Sequence, residues 1–329
     1  MKAAEKSSLY RELAKLTQAD FHLDRSLQLL LSQKKALGTR TFLEGLQKGL
    51  EEGKGLAEAI RSYNQKLVSP LELTLIEAGE KSGRLSPAFH HLARYYASVD
   101  SAAQQMRGAM IYPLLLLHLA IILPELPNLL VSPQGSEILL RLALWIILLW
   151  VVLITLSFLA KWLSKKAQTS ASLDTQLNRI PWIGTARQHW AMARFTQVFH
   201  AGLLAALRMS EICRLAGDAS QSGRLKQGAY HAAELIEANG ESLSLALADS
   251  GAFDSHFINS TATAEEVGQL DDEMARWTAT ETTNASDAMG RASLWLPKVC
   301  YGIVVAFVAY RIITMLQSYY GEVLKLMDG

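Results

Sequence analysis

The stretch "IEAGEKSGRL", residues 76–85, decides how the rest of the chain reads. It places Gly79, Glu80, Lys81, Ser82, Gly83 and Arg84 between two segments with apolar residues at helical spacing. Upstream, Ser69-Pro70-Leu71-Glu72 is a capping box with proline at the first helical position, which predicts a helix start. Downstream, Phe89, Leu92, Tyr96 and Val99 recur at steps of three and four, a helical period. Ser86-Pro87 supplies a second start signal. The pattern predicts one helix stopping at Gly79, a corner where Gly83 gives the backbone freedom, and a new helix from Pro87.

The corner occurs twice. Shifted by 185 positions, EKSGRL (80–85) lies over EEVGQL (265–270), so Glu80 meets Glu265, Gly83 meets Gly268 and Leu85 meets Leu270. Phe89 then meets Met274, and Leu92 meets Trp277. Upstream, GKGLAEAI (53–60) corresponds to GESLSLAL (240–247) after a small gap. Further upstream, LAKLTQADF (13–21) resembles FTQVFHAGL (195–203), and the Pro113 run resembles the Pro297 run. A fixed internal period marks a repeated architecture. A corner needs polar residues, but not glutamate at the same place in both copies. Glu80, Gly83, Arg84, Glu265, Gly268 and Gln269 are therefore candidates for a partner-binding surface as well as for architecture. Asp271 and Asp272 have a sufficient structural reason in the first turn of a helix, where negative charge is favoured.

Apolar residues make up half of the 329, and they are gathered in runs. Residues 108–124 and 142–160 carry no charge, and 299–319 carry only Arg311. A bilayer core takes about 17–25 residues of helix, which all three runs supply. Trp145, Trp162, Trp295, Tyr112, Tyr319 and Tyr320 sit near run ends, as interfacial aromatics do. Arg107 abuts the first run and Lys161, Lys165 and Lys166 follow the second, while the intervening link has no Lys or Arg. The positive-inside rule then places the N-terminus in the cytoplasm.

The fold expected is all-α: a polytopic membrane protein with two homologous cytoplasmic helical-bundle domains and three transmembrane helices. Residues 1–107 form the first cytoplasmic domain, 108–125 the first span, 126–138 a short periplasmic link and 139–161 the second span. Residues 162–294 form the second cytoplasmic domain, 295–318 the third span and 319–329 a short periplasmic tail. The N-terminal sequence is charged and amphipathic, unlike a secretory signal. A formal net charge of +1 argues against a nucleic-acid binder. Two distant cysteines, Cys213 and Cys300, make no disulfide or zinc framework and suit a reducing compartment.

Glu125, Arg141 and Arg311 fall near the external ends of their runs. Charges there either snorkel to headgroups or pair with one another or with an acidic residue on a partner's membrane helix. His118, inside the first run, is expected to hydrogen-bond a neighbouring helix. Gly49 to Gly55 lacks the spacing, the hydroxyl residue and the preceding strand of a phosphate loop. His90 and His91 are adjacent and point apart. An acidic cluster at Glu77 and Glu80 could offer hard-cation ligands, but solvated carboxylates are the better account of it. No catalytic, cofactor or metal constellation is read from the sequence, and the chain is expected not to be an enzyme.

Glu80-x-x-Gly83-x-Leu85, the following Ala93-Arg94-Tyr95-Tyr96 and AMIYPLLL (109–116) resemble the bacterial type II secretion F / type IV pilus inner-membrane platform family over roughly residues 10–320. The second motif departs at Ala264, where glycine is usual, and at Val267, where serine is usual. The abbreviated external link is closer to the shorter type IVb pilus branch. The resemblance implies a platform in the bacterial inner membrane on which pilin or pseudopilin is assembled. It implies as partners a cytoplasmic hexameric assembly ATPase, the major pilin or pseudopilin, other inner-membrane assembly proteins and further copies of the chain. The alternative is a small transporter or permease subunit. Transporter repeats lie mainly within membrane helices, whereas this repeat lies mainly outside the apolar runs.

Overall fold

The computed structural model describes residues 1–19, 21–126, 129 and 135–327. Every regular element among them is helical. The first half runs α1 (Ala3–Gln18), α2 (Leu23–Leu31), α3 (Leu37–Glu51), α4 (Leu56–Ala59), α5 (Pro70–Lys81) and α6 (Leu85–Ile122), with α4 continuing as a π-turn over Ile60–Asn64. A 3₁₀ turn, Leu123–Glu125, follows α6, and then α7 (Gly135–Ala167). The second half runs α8 (Ala171–Leu177), α9 (Ile183–Leu204), α10 (Met209–Ser220), α11 (Gly223–Asn239), α12 (Leu243–Asp249), α13 (Ser255–Val267) and α14 (Leu270–Met327).

Local chemistry explains the boundaries nearest the corners. The Ser69 hydroxyl accepts from the Glu72 amide at 3.3 Å, and the Glu72 carboxylate accepts from the Ser69 amide at 2.6 Å, so the expected capping box opens α5. Asp254, 185 positions after Ser69, caps α13 by accepting from the His256 amide at 2.8 Å. The expected stop at Gly79 is corrected. Helix α5 continues to Lys81, and Gly79 lies inside it against Ala88, whose methyl would stand 2.8 Å from an added Cβ. The chain turns instead at Gly83, with φ +68°, and α6 begins at Leu85 rather than Pro87. Proline fits there because a first-turn amide has no intrahelical acceptor.

The helices that contain the apolar runs are longer than spans. Three helices among the described residues are long and apolar enough to cross a membrane, over Leu85–Glu125, Ser136–Ala167 and Leu270–Thr314. The chain is an all-α membrane protein. A bilayer core accommodates about 20 helical residues, whereas α6 has 38 and α14 has 58. Each therefore extends well beyond its apolar window without interruption, and each contains one proline, Pro113 or Pro297.

Met1–Ala102 and Ser164–Met289 form one compact unit. Its core is a single buried cluster that includes Leu13, Phe42, Leu75 and Phe89 from the first half and Phe195, Phe199, Ile212 and Phe257 from the second. Helix α5 packs against α9 and α10. Tyr95 meets the Trp190 ring edge-on at 5.6 Å, and Arg194 donates to the Tyr95 hydroxyl at 3.4 Å and to the Ser220 carbonyl at 2.9 and 2.6 Å.

Ala103–Leu163 and Gly290–Gly329 form the other unit. Here α7 presents apolar side chains outward along its length, among them Ile147, Trp150, Ile154 and Phe158. Such a helix matches a lipid environment, where its backbone groups are satisfied internally. His118 departs from expectation: its Nδ1 lies 2.7 Å from the Leu114 carbonyl of its own helix and so donates there, with the ring 6.0 Å from that of Trp150. Most of the 126–138 link and the last two residues lie outside the described residues.

Candidate functional site: the paired corners

Both corners are built by the same backbone contacts. In the first, the Gly83 amide reaches the Glu80 carbonyl at 3.2 Å and the Arg84 amide reaches the Gly79 carbonyl at 2.7 Å. In the second, the Gly268 amide reaches the Glu265 carbonyl at 3.3 Å and the Gln269 amide reaches the Ala264 carbonyl at 2.9 Å. Gly83 at φ +68° and Gly268 at φ +71° hold the left-handed conformation that other residues adopt at a cost.

The two glutamates have a role that local sequence did not reveal. The Glu80 carboxylate accepts from the amides of Leu56 at 2.5 Å and Ala57 at 3.0 Å. The Glu265 carboxylate accepts from the amides of Leu243 at 2.7 Å and Ser244 at 3.0 Å, and from the Ser244 hydroxyl at 2.9 Å. Leu56-Ala57 and Leu243-Ser244 are the positions matched when GKGLAEAI is laid over GESLSLAL. Each carboxylate therefore satisfies the first free amides of a short helix more than twenty residues upstream, where the backbone also favours negative charge. Gly55 gives the first of these contacts room, because an added Cβ would stand 2.7 Å from Glu80 Oε1. The signal that could have pointed to this pairing was the co-occurrence of both repeated segments in each copy.

Glu80 and Glu265 are half-buried, while Gly83, Arg84, Gly268 and Gln269 are exposed. The corners share a backbone but differ in surface charge. Lys81 and Arg84 are exposed at the first, and Glu266 and Asp272 at the second. Glu77 pairs with Arg61 and, at 3.1 Å, with Lys81. Glu80 is occupied by amides rather than standing free beside Glu77, and among the described residues no group of three or more acidic, His or Cys side chains could hold a metal ion.

The segment from Gly49 to Gly55 ends a helix. Gly53 has φ +75°, and Gly240, at the equivalent place, closes α11 with φ +66°. Near the membrane runs, Glu125 is buried in the 3₁₀ turn after α6 and Arg141 is exposed on α7. Arg311 lies on α14, and its side chain is outside the described residues.

A family model described as type II secretion system (T2SS), protein F, matches residues 9–126, which include the first corner. The type II secretion system protein F of Vibrio cholerae serotype O1 is 27% identical over 284 residues, covering 81% of this chain and 70% of that protein. The protein of the same name from Aeromonas hydrophila is 23% identical over 296 residues, covering 83% and 74%. The type IV pilus assembly protein PilC of Thermus thermophilus is 27% identical over 284 residues, covering 79% and 68%.

Proposed function

We propose that the chain, which is similar to type II secretion system protein F and to a type IV pilus assembly protein, is a member of the type II secretion F / type IV pilus inner-membrane platform family and is the platform on which a pilus or secretion pseudopilus is assembled. The observation behind this reading is that each capped corner is the first turn of a helix that itself contains an apolar span. Helix α6 from Leu85 and α14 from Leu270 each run as one continuous helix into an apolar span, a covalent route by which force applied at a corner would reach the membrane. This suits a protein that must lift an apolar pilin helix from the bilayer without doing chemistry itself.

In this reading the protein sits in the bacterial inner membrane with its N-terminus in the cytoplasm. Residues 1–107 and 162–294 are homologous cytoplasmic parts acted on by a hexameric ATPase. The exposed residues of the corners, Arg84 and Gln269 foremost, face that ATPase or another assembly protein, and Glu125, Arg141 and Arg311 lie where a pilin helix would pass. Further copies of the chain complete the platform.

Photocrosslinkers placed at Arg84 and Gln269 in the native membrane test the reading. Crosslinks to the assembly ATPase, weakened when Glu80 or Glu265 is replaced by alanine, are the expected outcome. Filaments assembled normally by both variants, with no crosslinked partner at either position, would reduce the corners to architecture.

A further inference from the structure

A cleft of about 590 Å³ opens between α9 and α14 in the second half, closed at its ends by the first turns of α11 and α13. Its size lies within the roughly 300–1,000 Å³ of ligand-binding pockets. The internal repeat provides a control for it. In the first half, Lys6, Tyr10, Ser69, Glu72 and Tyr96 close the equivalent space. Lys6 Nζ and the Tyr10 hydroxyl both donate to the buried Glu72 carboxylate at 2.6 Å. The Tyr96 hydroxyl meets Ser69 at 3.2 Å, and its ring stacks on Tyr10 at 6.1 Å. The repeat registers map these five positions onto Gln188, Met192, Asp254, Phe257 and Glu281. All five line the cleft.

The exchange removes the cation at these five positions and leaves a buried carboxylate; Arg224, the remaining arginine of the lining, donates to the Gly251 carbonyl at 3.3 Å rather than to Glu281. Glu281 is 6% exposed, and its partners are the His189 ring nitrogen at 2.8 Å and the Asn284 amide at 3.3 Å. Neither is a fixed charge, since His189 is cationic only when protonated. In the first half Lys6 supplies that charge directly. A buried carboxylate without a permanent counter-ion is costly and favours a cation brought from outside. Trp277 is the aromatic wall beside it, with the buried Phe257 edge-on behind it at 5.1 Å. A guanidinium stacks on such a wall while its stem lies on apolar surface. Asn178, also in the lining, holds a buried Oδ1 with no donor.

We infer that this cleft binds an arginine side chain of a partner protein, with Glu281 as its counter-ion and Trp277 as its wall. The inference stands apart from the platform reading, because direct binding can be measured without any filament.

The test uses the full chain in lipid nanodiscs and a fluorescent pentapeptide, Gly-Leu-Arg-Leu-Gly, read by anisotropy. The same peptide with citrulline or glutamate in place of arginine tests the charge without altering the protein. The arginine peptide is expected to bind, and citrulline to weaken it by roughly tenfold or more. Glu281→Gln, which keeps the shape of the side chain, is expected to weaken arginine binding similarly and leave citrulline binding unchanged. Equal binding of the arginine and citrulline peptides, tighter binding of the glutamate peptide, or no binding of the arginine peptide would each overturn the inference.

Discussion

Glu80 shows what one side chain does at a corner. Its carboxylate ties the end of α5 to the start of α4 through two charge-assisted hydrogen bonds, and such bonds are stronger than neutral ones. Glu80→Ala and Glu265→Ala are each expected to cost about 1–3 kcal/mol, because both leave two amides unpaired; thermal melts of the purified variants measure this. Glutamine at either position should recover part of the loss, since it keeps one acceptor. A second expectation at this scale concerns acid. Burial first, then the charges of Arg94, His200 and His90, push His91 down from its usual value to about 4. Burial likewise lowers His200, against the opposing pull of Asp271 and Asp272. The folded protein therefore keeps His91 neutral where the unfolded chain, titrating near pH 6.5, takes up a proton. Its contribution is constant above that pH and is lost as pH falls towards 4. Melting temperature should drop between pH 7 and pH 5, and His91→Gln should shrink that drop; an equal drop in both proteins would assign it to other groups. Ser69, Glu72 and Gly83 were legible in the sequence because their roles act within a few residues. The role of Glu80 was not, because the amides that donate to it lie 24 and 23 residues upstream and no local pattern links the two.

At the scale of elements, the long helices are the main departure from what the sequence suggested. Periodicity revealed a helix before Arg107 and hydropathy an apolar run after it, and both are parts of α6. The charge at Arg107 and the change from amphipathic to uniformly apolar pattern mimic an element boundary. The backbone has no reason to break there, since neither glycine nor proline stands at the joint except Gly108, which remains helical. Proline at Ser98 would remove one helical bond and clash with the preceding turn, at a cost of about 3 kcal/mol or more. Ser98→Pro is expected to reach the membrane yet fail to assemble filaments, as judged by membrane fractionation beside surface pilin. Normal assembly would show that an unbroken α6 is not required. The cleft in the second half was equally hidden from sequence reading. It depends on five exchanges spread over three helices, none of which looks unusual alone.

At the scale of the molecule, the two halves share one buried core within their unit. The repeat and its register were readable from paired motifs; the packing of α5 on α9 and α10 was not, because helix-to-helix contacts between copies leave no periodic trace. Trp190, 8% exposed and edge-on to Tyr95, is a principal contact. Trp190→Ala is expected to cost about 3–5 kcal/mol. The double variant with Tyr95→Ala should cost less than the sum of the two, with a coupling of about 0.5–1.5 kcal/mol. Simple additivity in denaturant titrations would mean that the halves gain little from this pair.

The carboxylate ties also set an order of events during synthesis. The contact from Glu80 to Leu56 closes a short stretch of chain, and that from Glu265 to Leu243 closes another of similar length. Short closures are fast and lose little chain entropy. The first can form as soon as residues up to the corner have left the ribosome, before the first apolar run has emerged. The docking of α5 on α9 must wait for roughly a hundred more residues, two apolar runs included. A nascent first half is thus locally fastened while its future partner surface, Leu75 and Tyr95 among it, is still bare. In that interval this surface is open to contacts other than its own second half.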